Sequence, residues 1–209
     1  MRLGEPLNDL FNSRSHVRLL RALDALPPGV EASGRDLARR AGLSHPTASK
    51  VLASLVTQGV VQVRRVARAD YYQLNRNHVL IEPIRGLFEW ESKVSLDLMA
   101  FLRRELLLRR VGARDVLLFG SAARGDMTPE SDIDLALVVP ARPVEDVESD
   151  LEVVEDAVQQ RYGARLNAVI GADSFENLRD RSNPGYRLWN RIYAEGIRID
   201  LDASEGAVE

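Results

Sequence analysis

The strongest constraint in this 209-residue chain is a pair of short apolar runs joined by a polar loop. Asp115 to Phe119 ends in Gly120-Ser121, and Ile133 to Val139 is led in by Asp132 and interrupted by Asp134. Both runs are rich in Leu, Val and Ile and bounded by turn residues, so both read as buried strands. Residues two apart in a strand share a face, roughly 6.6 Å apart along the backbone, which points Asp132 and Asp134 the same way. Two carboxylates about 5 Å apart repel by roughly 3 kcal/mol at an effective dielectric near 20. A bound divalent cation offsets that cost. Mg²⁺ and Mn²⁺ are hard cations that take oxygen ligands, and Mg²⁺ usually sits between one or two carboxylates and the phosphates of a substrate. Gly120 lets backbone approach a phosphate, Ser121 offers an N–H and a hydroxyl, and Arg124 reaches the same region. Gly125, Thr128 and Pro129 make the return loop.

The wording Leu-Phe-Gly-Ser-Ala-Ala-Arg-Gly-Asp over residues 118–126, followed by Ser-Asp-Ile-Asp-Leu over 131–135, resembles the minimal branch of the nucleotidyltransferase superfamily of DNA polymerase beta. The match covers about the last half of the chain, and the combined motif is far more specific than a lone Asp-x-Asp. The resemblance implies that Gly120 and Ser121, helped by Arg124, hold a nucleoside triphosphate. It further implies that Asp132 and Asp134 are the catalytic pair and bind two metal ions, which clamp the attacking and leaving oxygens at the α-phosphorus. The family typically carries a third acidic residue on a later strand, after a helix. Val144 to Arg161 reads as that helix and Ala164 to Ile170 as that strand, so the matching position is Asn167. An amide oxygen can ligate a metal but carries no charge and cannot serve as a base. Asp200 and Asp202, on a final Ile197 to Leu201 strand, alternate outward and read as solvated. Asp173, with Glu176 three residues later, reads as a helix cap.

Composition narrows the field. There are no cysteines, which excludes disulfides, thiolate zinc sites and cysteine nucleophiles, and the three histidines are scattered. No Gly-Lys-Ser/Thr follows a glycine-rich turn, so a Walker-type phosphate loop is absent. No stretch is long and apolar enough to span a membrane and no signal-peptide core follows Met1, so the expected compartment is the cytoplasm. Charge is divided unevenly: residues 1–76 hold 12 Lys and Arg against 6 Asp and Glu, residues 77–110 hold 6 against 5, and residues 111–209 hold 10 against 20. A basic front joined to an acidic back points the front toward nucleic acid.

Within that front, apolar residues from Leu7 to Leu26 fit one helical stripe ended by Pro27-Pro28-Gly29. Ser33 precedes a short helix closed by Gly42, and Ser44 starts another, with Pro46 in its first turn, that runs to about Gln58 and closes at Gly59. Two short strands, Val60 to Val66 and Tyr71 to Leu74, flank a basic turn at Ala67 to Asp70. The arrangement resembles the winged-helix DNA-binding domain of bacterial transcriptional regulators, notably in Ser44 to Leu52 and Leu55 to Val61. By that resemblance Pro46, Thr47, Ser49 and Lys50 lie near the end of the helix that enters a major groove, and Arg64, Arg65 and Arg68 in the wing meet phosphate or a minor groove. Winged helices also dock proteins, so a partner protein stays open beside DNA.

Residues 77–110 carry apolar residues at mostly helical spacing, with Trp90 near the junction, and read as one or two helices linking the domains, whose stripe packs on the second domain or forms a homodimer contact. The last helix, opened by Asn183-Pro184-Gly185, carries Trp189 and Tyr193, which suit core packing better than base stacking. Residues 203–209 are expected to fray. The whole reads as an α+β chain: a winged helix over 1–76, a linker over 77–110, and a nucleotidyltransferase fold with a mixed sheet and flanking helices over 111–209. Two functions follow: nucleotidyl transfer from a triphosphate to an unknown acceptor, or gene regulation in which the second domain binds nucleotide or a partner without turnover.

Overall fold

The computed structural model describes residues 6–202, so the fraying expected of residues 203–209 lies outside the described residues. The chain forms two compact units, Met1–Ser92 and Lys93–Glu209.

In the first unit, helices α1 (Pro6–Leu10), α2 (Arg14–Asp24), α3 (Gly34–Arg40) and α4 (His45–Gln58) accompany strands β1 (Ala32–Ser33), β2 (Val61–Val66) and β3 (Ala69–Leu74). The stripe from Leu7 to Leu26 is two helices rather than one. Ser13 adopts extended backbone as the N-cap of α2 and its hydroxyl bonds His16 Nδ1 at 2.9 Å, an alternative that short polar side chains offer to continued helix. The caps of α3 and α4 form as the sequence indicates: Ser33 Oγ accepts from Asp36 N at 3.2 Å, and Ser44 Oγ from Thr47 N at 3.3 Å. Gly59, at φ +81°, closes α4 in the left-handed conformation that glycine adopts without steric cost.

The wing is longer and tighter than its apolar pattern suggests. Val66 pairs with Ala69, leaving only Ala67 and Arg68 as the turn, with Ala67 at φ +53°. β1, too short to show periodicity, adds a third antiparallel strand in the order β1-β3-β2. Leu10, Leu19, Leu20, Leu23, Leu37, Leu52 and Leu55 are almost completely buried at the centre, each contributing roughly 1.5–3 kcal/mol by its removal from water. A single helix, α5 (Ile81–Leu108), occupies most of residues 77–110; Ile81 and Ile84 join the first unit's core, and Leu98, Phe101, Leu102 and Leu106 join the second's.

In the second unit, four strands, β4 (Asp115–Phe119), β5 (Ile133–Val138), β6 (Leu166–Gly171) and β7 (Ile197–Arg198), lie in the order β6-β5-β4-β7. β5 and β6 are parallel, joined across the sheet by α7 (Val144–Tyr162), and the other pairs are antiparallel. The mixed sheet separates two cores by the period-2 rule. Val116, Leu118, Ile133, Leu135 and Leu137 face α7 and the end of α5, while Leu117, Ala136 and Val138 face α8 (Phe175–Leu178) and α9 (Tyr186–Glu195). On the first face, Asp97 of α5 accepts from the Tyr162 hydroxyl at 2.6 Å and from Arg161 at 3.0 Å, and these donors hold its carboxyl below the usual carboxylate range.

Trp189 is 5% exposed, edge-on to Phe175. A Cβ at Gly171 would overlap Leu178 and sit 2.8 Å from the indole, so Trp189 is core rather than a free stacking surface. The final strand stops at Arg198, short of Leu201; Asp200 and Asp202 are exposed beyond it. The helix cap after β6 is Ser174, whose Oγ accepts from Asn177 N, while Asp173 takes Ser174 N and the Asn177 amide.

His16 is 6% exposed, and its Nε2 has no hydrogen-bond partner. Burial lowers its pKa below 6.5, so the unfolded chain binds the proton more readily. The stability this neutral imidazole contributes is therefore present above pH 6.5 and is lost as pH falls below it. Denaturant unfolding of the full chain at pH 7.5 and pH 5 should show a larger acid loss in wild type than in His16→Phe.

Candidate active site and nucleic-acid interface

Strand register brings Phe119, Asp134 and Asn167 into one rung across β4, β5 and β6. By alternation, that rung lies on the α9 side of the sheet, with Ala136, Val138 and Val169. Asn167 Nδ2 donates to Asp134 Oδ1 at 2.9 Å. An ionised carboxylate only accepts, so the amide must present its NH₂ here. Asn167 thus solvates the Asp134 charge, where a carboxylate at the same position would repel it.

Gly120 completes this seat. It holds φ +69°, and a Cβ at this position would overlap Asp134 Oδ2 and sit 3.0 Å from Cγ. The glycine is required twice, by the left-handed backbone and by the carboxylate lying against it. Ser121 follows in the five-residue helix α6 (Gly120–Arg124), half-buried, its carbonyl accepting from the Gly125 and Asp126 N–H groups. Asp132 is exposed and stands one residue before β5, which starts at Ile133, so it belongs to the loop end rather than to the ladder.

A cleft of about 700 Å³ opens over the rung. Phe119, Gly120, Asp134 and Asn167 form its sheet side, with Arg124 from α6; Asp132 and Ser121 do not line it. The opposite wall is α9, which presents Leu188, Arg191, Ile192 and Glu195. These four share one helix face by spacing, and the pattern was visible in the sequence. What the sequence did not show is that this face looks across at Asp134. Arg124 pairs with Asp126 at 3.3 Å and Glu195 at 3.6 Å.

Among the described residues, no cluster of three or more His, Cys, Asp or Glu is placed to hold a metal ion. The available donors are the oxygens of Asp132 and Asp134. Carboxylate oxygens are the ligand type a hard divalent cation takes together with phosphate and water, which is how Mg²⁺ usually binds; of the two, Asp134 lines the cleft and Asp132 does not.

On the first unit, Pro46, Thr47 and Lys50 are exposed on α4, and Ser49 is half-buried. Thr47 is tied into the cap, its hydroxyl 2.8 Å from that of Ser44. Arg64 donates Nε to Glu31 at 2.9 Å and a second N–H to the same carboxylate, so its charge is largely matched. Arg65 lies 3.9 Å from Asp70, and Lys50 and Arg68 have no ion-pair partner among the described residues. A groove of about 520 Å³ brings Arg68 and Ser49 together with Arg35 and His45, two residues that charge reading alone did not single out.

Residues 13–69 match the family model of the MarR family, and residues 103–181 match that of the nucleotidyltransferase domain. The chain joins a MarR-type winged helix to a nucleotidyltransferase domain. No curated protein matches it. Among solved structures it is similar to a possible transcriptional regulatory protein (fragment 1-100) from Mycobacterium bovis, at 26% identity over 44% of this chain and 97% of that one, with a TM-score of 0.29. The matched part of the nucleotidyltransferase domain takes in the Asp134 rung and ends before α9. Among the described residues, no helix is long and apolar enough to cross a membrane.

Two outcomes follow from this geometry. Gly120→Ala should destabilise the nucleotidyltransferase domain by about 1–3 kcal/mol, the usual cost of a strained left-handed backbone, as read by denaturant unfolding. In DNA binding by the winged helix, Lys50→Ala and Arg68→Ala should each lower the salt-dependence slope by about one. Arg64→Ala, already neutralised by Glu31, should lower it less, as a titration across salt concentrations will show.

Proposed function

We propose that this protein is a DNA-binding nucleotidyltransferase that moves a nucleotidyl group from a nucleoside triphosphate to an acceptor, with Mg²⁺ or Mn²⁺, in the cytoplasm. The single observation that carries this reading is the Gly120–Asp134 seat, a glycine and a carboxylate in contact at the mouth of a cleft of nucleotide size. Asp132 and Asp134 would hold the cation, and Gly120, Ser121 and Arg124 would meet the phosphates. The cation, when bound, supplies charge neutralisation at the phosphate oxygens. The acceptor oxygen bonds the α-phosphorus, the bond to the β-phosphate oxygen breaks, pyrophosphate leaves, and the acceptor proton passes to solvent. Asn167 cannot take that proton. The winged helix would bring the domain to DNA through Lys50, Arg65 and Arg68.

One observation favours a second reading, a regulator that binds nucleotide or a partner without turnover. Asn167 stands where the resemblance calls for a third carboxylate, and its amide is spent on Asp134. One experiment separates the two. The full chain is incubated with Mg²⁺ or Mn²⁺, each α-phosphate-labelled triphosphate and cell extract. Transfer by wild type, reduced roughly 100-fold or more in Asp132→Ala/Asp134→Ala, is the expected result, since even outer partners of metal sites are worth 10- to 100-fold. Equal labelling by wild type and variant would overturn the enzyme reading in favour of the regulator.

A further inference from the structure

The cleft is lined by two arginines, and they stand in different electrostatic states. Arg124 is held between Asp126 and Glu195. Arg191 has no ion-pair or hydrogen-bond partner among the described residues, although Glu195 lies one turn away on the same helix. An unpaired guanidinium on the wall of a polar cleft presents its N–H donors to whatever enters. Its planar fork matches phosphate oxygens bidentately, and charge-assisted pairs of this kind are about twice as strong as neutral ones.

The position is consistent with that use. α9 is fixed against the sheet by Trp189 and Ile192, both buried, so the place of Arg191 is set by packing rather than by a loop. Across the cleft stand Asp134 and Asn167, which repel or merely hydrogen-bond an anion, so its charge must be met from the α9 and α6 walls. Arg124 already shares its charge with Asp126 and Glu195, whereas Arg191 shares its own with no partner among the described residues.

We propose that Arg191 is a binding residue for the polyphosphate chain of the nucleotide. The proposal rests on the nucleotide-binding reading of the cleft and adds a residue outside the segment that matches the nucleotidyltransferase domain.

The test measures equilibrium binding of ATP, GTP, CTP and UTP, each with Mg²⁺, to the full chain by calorimetry. Arg191→Gln should weaken the best-bound triphosphate roughly tenfold or more, the usual loss of a charged hydrogen-bond pair. Arg191→Lys, which keeps the charge but not the fork, should fall between. Arg187→Gln is the control: Arg187 lies on the same helix, does not line the cleft, and donates to Tyr186. It should change affinity less than twofold, and all variants should bind DNA as wild type does. Wild-type affinity in Arg191→Gln, or an equal loss in Arg187→Gln, would overturn the assignment of Arg191 while leaving the nucleotide-binding reading in place. Failure of wild type to bind any of the four would overturn both.

Discussion

The carboxylate of Asp134 occupies the space that a side chain at residue 120 would need. That exclusion ties the turn after β4 to the second residue of β5, and it holds only while the two strands keep their register, with Phe119 opposite Asp134. Because the same register places Asn167 beside Asp134 on β6, a single rung carries the glycine seat, the candidate metal ligand and its amide partner. The sheet's two cores stabilise that register from both faces. A slip by one residue would send Asp134 into the α7 core and take Ile133 and Leu135, which are buried there, out of it.

The amide at residue 167 changes the electrostatics of the site in a specific way. A carboxylate there would raise the cost of an empty rung, because two like charges would face each other without a cation. The Asn167 hydrogen bond instead stabilises the Asp134 charge in the absence of metal.

The winged helix shows a comparable division of charge. Its cations are not equivalent: Arg64 is matched by Glu31, which stands beside β1, while Lys50 and Arg68 have no ion-pair partner among the described residues. Surface pairs of this kind contribute little to stability, about 0–1 kcal/mol. Their greater effect is to decide which cations remain available to a phosphate backbone. The groove that joins Arg68 to Arg35 and His45 gathers residues from α3, α4 and the wing.

Much of this was legible in the chain itself. The strands β4, β5 and β6 and the caps at Ser33, Ser44 and Gly59 follow from apolar periodicity and turn chemistry, which are local, whereas Asn167 was marked by the resemblance to the nucleotidyltransferase superfamily and its pairing with Asp134 came from the fold. The sequence also marked Gly120 and Asp134 as a constellation. Sequence could not show the break at Ser13, where a side-chain hydrogen bond competes with an unbroken apolar stripe, nor the two-residue wing turn, where an alanine takes positive φ. The matching of Arg64 by Glu31, 33 residues away, and the placement of Arg191 opposite Asp134, 57 residues away, were beyond it as well. Periodicity tells which face a residue occupies within its own element. Only packing between elements decides what that face meets, and charge is neutralised or left available by neighbours that the chain brings together from afar.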